Sequence, residues 1–470
     1  MTRATTQSQA VLLGAAVAGL GVSFLLTALL GRSLPAEGFG FVALVGTVLA
    51  LARELTDLGS SNVAAAQIAP EPERERAILE DLLALRLGLA ALAAVACLAL
   101  AATRPRADEQ GLLVLAALAI LLQHLSALSA VFLVRQALGG PALLAVTSQI
   151  MSLLVGVGLA AASAAASLFA AVLVAREMIL SLGISALAVR RIGYRPRPRL
   201  RAWAGSPLLQ SATLYGLAAL CYAITVQGAP LLIASACPPE ALGAFAAAFR
   251  PMAPLLTLPW LIATPLVPAL AGLFRGDPAG FSRRAATALR FAVGVGAVVV
   301  SAGQDLAAPA LELLYNGRFI DGPLAAVAVL RWLAGVLGAV CVIAAATVIL
   351  LAAGRVRAIL GLGVTCLILN AVAAAVLVPA TGFLGGAIAL AVATTVVAVA
   401  AVTLAFRHAA RPTALLPAIA ALAPAIGLAI ANWLLPVQGL ARLLLGGAMT
   451  VGALAIIWLI CRTSGRSRVQ

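Results

Sequence analysis

Apolar runs of about twenty residues recur from one end of the chain to the other, separated by short segments rich in Arg, Pro and Gly. A helix rising 1.5 Å per residue needs about that many residues to cross a ~30 Å hydrocarbon core. The pattern predicts helices over 8–30, 39–68, 77–102, 111–134, 141–163, 167–190, 207–235, 241–273, 281–301, 323–352, 355–378, 382–406, 413–435 and 440–461, about fourteen in all. The fold class is therefore all-α, a polytopic membrane protein. Two boundaries are poorly marked: "AAASAAASLFAA" between the fifth and sixth helices carries no charge, and the ninth fades around 304–314.

Composition strengthens this picture. The chain is 63% hydrophobic and 10% charged, where a soluble domain has about 25% charged residues. Ala, Leu, Val and Gly fill the runs, which suits close packing through small residues. The first run, from about Ala10 to Leu30, follows a lone Arg3 and lacks a clear cleavage site, so it reads as an uncleaved first helix.

The net charge of +15 comes with 31 basic residues, every one an arginine. With a cytoplasmic amino terminus, twenty of them fall in inside segments and five (Arg32, Arg104, Arg106, Arg318 and Arg442) in outside segments. That asymmetry is the positive-inside signal. It predicts a multi-pass plasma (inner) membrane protein with both termini cytoplasmic, and it absorbs the charge excess without any nucleic acid. The six cysteines are scattered and the two histidines, His124 and His408, are far apart. Neither set has metal or haem spacing, so no metal, cofactor or catalytic residue is expected.

The densest basic stretch is "RRIGYRPRPRLR", Arg190 to Arg201, whose X-Pro steps make it an extended connector. It carries topology signal, and anionic membrane lipids are a candidate partner for it. It divides the chain into a six-helix lobe over 1–190, a linker over 191–206, a second six-helix lobe over 207–407, and a final helix pair with a basic tail over 408–470. "PAEGFG" (Pro35 to Gly40) and "PPEALG" (Pro238 to Gly243) are similar turns that open the second and eighth helices. A six-helix period puts both on one side of the membrane, so the repeat is expected to be parallel.

Several stretches resemble a known family. "LLGRSLPAEGFGFVALVGTVLALARELTDLGSSNVAAA" resembles the opening of the polysaccharide and oligosaccharide flippases, with their Pro-Glu-x-Gly turn and Asp-Leu-Gly. "CPPEALGAFAAAFRPMAPLLTLPWLIATPLVPALAGL" is similar to their eighth helix, "LLYNGRF" to the loop before their tenth, and "LAAGRVRAILGLGVTCLILNAVAAAVLVPATGFLGGAIALA" to their eleventh and twelfth. The motifs keep the family's order along most of the chain and point to the multidrug/oligosaccharidyl-lipid/polysaccharide exporter superfamily. The resemblance implies two lobes, alternating access, and a polyprenyl-pyrophosphate-linked oligosaccharide as cargo for surface polysaccharide. It also implies glycosyltransferases and a polymerase as functional partners.

Charges inside spans are candidate functional residues, because leaving one in lipid costs at least ~2.5–3.5 kcal/mol. Those well inside are Arg53, Glu54, Asp57, Arg86, Arg176, Glu177, Arg250, Arg290 and Arg331. Arginine dominates, and a guanidinium grips phosphate through two parallel bonds. Arg53 lies about 20 Å into its helix beyond Gly40, and Arg250 about 10 Å beyond Gly243. Since the second and eighth helices line the cavity in the family this chain resembles, Arg53 and Arg250 are the first candidates for pyrophosphate contacts. Arg86, Arg290 and Arg331 lie closer to span ends, where they either bind substrate or snorkel to headgroups. Arg176 and Glu177 are adjacent and about 100° apart on the helix, which makes them poor partners for each other.

Arg53 and Asp57, spaced i, i+4, share a face, and Glu54 lies three before Asp57. Three readings stay open: an arginine caged by acids for a ligand, a cation or proton site made by Glu54 and Asp57, or a self-neutralising cluster. Among alternative functions, a peptidoglycan lipid-precursor flippase shares the helix count and cavity arginines. A multidrug exporter would be expected to keep a carboxylate in the first helix, and this one has none. A membrane glycosyltransferase needs a catalytic acid on a sizeable loop, and the longest loops here are short.

Overall fold

In a computed structural model, residues 3–68, 72–135, 137, 139–199 and 207–409 are described, and the helix pair expected at 413–435 and 440–461 lies outside them. The described chain is helical throughout, with no strand. In order the helices are α1 (Arg3–Ser33), α2 (Ala36–Asp57), α3 (Ser60–Ile68), α4 (Glu75–Ala102), α5 (Ala107–Leu122), α6 (Ala130–Val134), α7 (Gly139–Ala161), α8 (Ala166–Ile192) and α9 (Pro207–Gln227). Then follow α10 (Ala229–Ala236), α11 (Pro239–Leu255), α12 (Leu258–Ala263), α13 (Leu266–Gly276), α14 (Pro278–Tyr315), α15 (Val327–Ala352), α16 (Val356–Thr381) and α17 (Phe383–Ala409). Among the described residues ten helices are long and apolar enough to cross a membrane, or eleven with the broken α9–α10 pair.

Several expected single helices are broken, each for a local reason. The expected 39–68 helix stops at Asp57, because Leu58 (φ 43°) and Gly59 (φ 70°) turn left-handed before Ser60 restarts it. Gly59 takes that conformation at no steric cost, whereas for Leu58 it costs about 1–2 kcal/mol. The expected 111–134 helix tightens into a 3-10 segment over Gln123–Ser129. There Ser126 Oγ donates to the Gln123 carbonyl at 2.7 Å, a side-chain bond that competes with the backbone ladder. Gly228 breaks the seventh expected helix, and a run of prolines (Pro251, Pro254, Pro259, Pro265, Pro268) divides the eighth into three. The ninth does not end near 301. It continues as α14 to Tyr315, because Ala302, Ala307, Leu311 and Tyr315 recur on one buried face of a stretch that holds Asp305 and Glu312. The poorly marked boundary between the fifth and sixth helices falls at a turn where Ser163 has φ 49°.

The chain forms two compact units, Met1–Leu231 and Leu232–Gln470. The division lies in the seventh expected helix and not in the arginine-rich linker, because α9 packs on α2, α3 and α4. In the amino-terminal unit α2 also packs on α4 and α8, and in the carboxy-terminal unit α15 packs between α14 and α17. Tyr315, fully buried at the end of α14, donates to the Ala247 carbonyl of α11 at 2.9 Å and so anchors the loop that holds Arg318 and Phe319.

Gly216 of α9 lies against the α2–α3 break: a Cβ there would collide with the Leu58 carbonyl oxygen. Gly216→Val should therefore destabilise the amino-terminal unit by about 1–3 kcal/mol, the usual cost of overpacking. The measurement is the thermal midpoint of the purified protein in detergent, with Gly111→Ala as control, since a Cβ at Gly111 meets nothing within 4 Å. Equal midpoints for the two variants would show that α9 does not press on the break.

Candidate functional site

The intramembrane charges of the amino-terminal unit gather around the α2–α3 break. Asp57 ends α2, Ser60 and Ser61 begin α3, Arg86 lies in the first half of α4, and Ser126 and Ser129 belong to the 3-10 segment. Arg86 is 2% exposed and is among the largest fully buried side chains of the protein. Its guanidinium is ion-paired with Asp57. It also donates from Nε to Ser60 Oγ (3.1 Å), from Nη1 to Ser126 Oγ (3.0 Å) and from Nη2 to Ser61 Oγ (2.5 Å). Ser61 Oγ in turn donates to Asp57 Oδ1 at 3.1 Å and lies 3.3 Å from Ser129 Oγ. Gln123 Nε2 donates to the Leu49 carbonyl at 3.2 Å, fixing the 3-10 segment to α2. A broken helix exposes backbone groups that must find partners, and this network binds the two broken spans to α4 where the breaks occur.

This corrects two expectations. Arg86 does not snorkel from a span end: it is buried, and all of its guanidinium nitrogens are engaged within the protein. Asp57 is not the partner of Arg53 on a shared helix face. Its carboxylate turns to Arg86 and Ser61, so the cluster is braced across helices and not along α2.

Arg53, one turn earlier on α2, is different. Its side chain is 52% exposed, and its Nη1 lies 3.8 Å from Glu177 Oε2 of α8, an ion pair too long for a hydrogen bond. The Glu177 side chain is only 6% exposed and accepts from Arg176 Nη2 at 2.9 Å. The two neighbours on α8 are therefore partners after all, because the long arginine side chain folds back across the 100° that separates them. Glu177 sits between two cations, and Arg53 keeps donors uncommitted. Glu54 is half-buried and forms no ion pair among the described residues.

In the carboxy-terminal unit, Arg250 is half-buried on α11, directly before Pro251. Arg290 donates from Nε to the Ala286 carbonyl one turn back at 3.1 Å. Arg331, exposed near the start of α15, donates to the Gln304 carbonyl at 3.0 Å, and Gln304 Nε2 returns a bond to the Arg331 carbonyl at 3.3 Å, tying α14 to α15. Among the described residues no three His, Cys, Asp or Glu side chains are placed to hold a metal ion.

Sequence reasoning found the charges but missed the serines and the role of Glu177. Ser60, Ser61, Ser126 and Ser129 are polar positions in apolar runs, a visible signal, but only the packing of α3, α4 and the 3-10 segment brings them to one arginine.

The sequence profile described as "polysaccharide biosynthesis protein" matches residues 5–274. No curated protein matches the sequence. Among solved structures, the lipid II flippase MurJ in an inward closed conformation superposes with a TM-score of 0.71 at 11% identity, over 98% of this chain and 100% of that one. An inward-facing multidrug resistance MATE family transporter of the MOP superfamily gives 0.60 at 15% identity, over 83% of this chain and 94% of that one. A MOP superfamily transporter from Pyrococcus furiosus, described as having a binding pocket of reversed polarity, gives 0.59 at 15% identity, over 87% and 98%. At these identities the likeness is one of fold.

Proposed function

This chain belongs to the polysaccharide biosynthesis protein family, and on that premise we propose that it carries a polyprenyl-pyrophosphate-linked oligosaccharide from the cytoplasmic to the outer leaflet by alternating access. The observation that carries the proposal is Arg53. A guanidinium inside an apolar run, one turn before α2 ends at Asp57, half exposed and among the described residues held by a long ion pair to Glu177, needs water or an anion at its open side. A pyrophosphate supplies that anion and accepts two parallel bonds from it. Arg250, Arg290 and Arg331, on α11, α14 and α15 of the carboxy-terminal unit, are further candidate cations for an anionic cargo. Arg86 takes no part in cargo contact in this account; it holds the broken helices that set the position of Arg53. With Asp57 committed to Arg86, Glu54 is the carboxylate left for a coupling cation.

The basic segments face the cytoplasm, where the positive-inside asymmetry puts them. Glycosyltransferases supply the loaded carrier, and a polymerase uses it on the far side. A second reading, a peptidoglycan lipid-precursor flippase, is favoured by the full-length likeness to the MurJ fold, and it would use the same arginine.

Deleting the gene separates these readings. The proposal expects completed lipid-linked oligosaccharide to accumulate on the cytoplasmic side, surface polysaccharide to be lost, and cell-wall precursor pools to stay normal. Loss of cell-wall synthesis instead would favour the second reading, and truncated sugar chains on the carrier would overturn both in favour of an enzyme.

A further inference from the structure

The connector after α8 is not a loose tether. Its backbone and side chains are fixed to the ends of α4, α6 and α8, all within the amino-terminal unit. Arg199 donates its backbone N–H to the Glu80 carbonyl at 3.2 Å and its Nε to Glu80 Oε2 at 2.7 Å. Arg76 donates to the same carboxylate at 3.1 Å and lies over the Tyr194 ring at 5.5 Å. Tyr194 Oη lies 3.5 Å from Glu75 Oε1, and Arg135 bridges the Glu75 carboxylate (3.2 Å) and the Arg191 carbonyl (2.7 Å). Burial and the Glu75 charge push the Tyr194 hydroxyl up to about 12, so it stays protonated as a donor to Glu75 at any physiological pH.

Two acids of this region are thereby engaged, while Asp81 beside Glu80 has a buried Oδ1 with no hydrogen-bond partner among the described residues and Glu73 is exposed. Glu80 answers Arg76 and Arg199, and Glu75 answers Arg135 and Tyr194. Arg190, Arg191, Arg195 and Arg197 are exposed, and none of their guanidinium groups has an acidic partner among the described residues. They occupy the last turn of α8 and the strap that follows it, so they stand where a membrane-spanning helix leaves the bilayer.

We propose that this strap is a binding surface for anionic phospholipid headgroups, with Arg190, Arg191, Arg195 and Arg197 as its contacts. Three features select lipid. The surface begins at the end of a spanning helix, within a side chain's reach of the headgroups. Glu75 and Glu80 are engaged by Arg76, Arg135 and Arg199, and the four strap arginines turn their charge outward with no acidic partner among the described residues. And a guanidinium binds a phosphodiester without needing to recognise the rest of the molecule. The proposal concerns the membrane around the protein and does not rest on the identity of the cargo.

The test is native mass spectrometry of the purified full chain offered equal amounts of phosphatidylglycerol and phosphatidylethanolamine. The wild type should retain phosphatidylglycerol at least fivefold over phosphatidylethanolamine. Added inorganic phosphate should not displace it, since a free ion lacks the tails that hold a lipid at the surface. Arg190→Gln, Arg191→Gln, Arg195→Gln and Arg197→Gln combined should bring the ratio close to one. The matching quadruple lysine variant, which keeps the charge, should retain most of the preference, as should Arg284→Gln, an exposed arginine elsewhere in the chain. A glutamine variant that keeps the full preference, or a wild type with none, would overturn the proposal; so would loss of the bound lipid to millimolar phosphate, which would mark a free-anion site instead.

Discussion

Asp57→Ala should destabilise the amino-terminal unit by about 3–5 kcal/mol, and by more than Arg86→Met does. Both changes break the same ion pair, but they abandon different charges. Arg86 is 2% exposed and Asp57 37% exposed in side-chain surface. Removing Asp57 leaves a buried guanidinium whose remaining partners among the described residues are serine hydroxyls, and breaking a buried pair in this way costs about 3–5 kcal/mol. Removing Arg86 leaves a carboxylate that reaches water and still accepts from Ser61, so its cost should fall below that range. The double variant should recover part of the loss, since a well-packed apolar pair can replace a buried ion pair. Thermal midpoints and the yield of monodisperse protein from the membrane measure this. Equal losses for the two single variants would show that burial does not decide the cost.

The network explains why an apolar span tolerates "RELTDLGSS" at all. Leu58 and Gly59 end the regular ladder, Arg86 ties Asp57 to the serines across the break, and Arg53 and Asp57 are answered by neighbouring helices. Much of this was open to view in the sequence. The alternation of apolar runs with arginine-rich segments placed most ends of the expected spans to within a few residues, because hydrocarbon thickness fixes helix length, but not the breaks within them or the end of the ninth. Counting residues beyond Gly40 puts Arg53 about 20 Å along its helix, and the break after Asp57 leaves it one turn from the end of α2. The partner of each charge did not follow. Residues one turn apart on α2 suggested an Arg53–Asp57 pair, but a side chain at i, i+4 competes with acids and cations from every packed neighbour, and here Glu177 and Arg86 won. Likewise Arg86 looked close enough to a span end to reach the headgroups. Its burial depends on α3 and the 3-10 segment closing over it, which no local pattern encodes. The extension of α14 to Tyr315 was hidden because Asp305 and Glu312 interrupt its hydropathy while its buried face runs on.

The site reading stands chiefly on Arg53. Two charge-assisted hydrogen bonds to a pyrophosphate are worth about 1.5–3 kcal/mol each, and each 1.4 kcal/mol is a factor of ten. Arg53→Ala should thus slow transport at least tenfold. Its stability should change little, because the side chain is half exposed and its ion pair is long. Arg53→Lys, which keeps the charge but loses the planar fork, should fall between the two. The most direct measurement uses vesicles containing the purified protein and a fluorescent polyprenyl-pyrophosphate-linked oligosaccharide, with a membrane-impermeant quencher reporting the leaflet of the label. The account predicts that wild-type protein moves the label between leaflets, that Arg53→Ala does so at one tenth the rate or less at equal protein content, and that protein-free vesicles do not. Transfer by Arg53→Ala at the wild-type rate, or no transfer by the folded wild type, would contradict it.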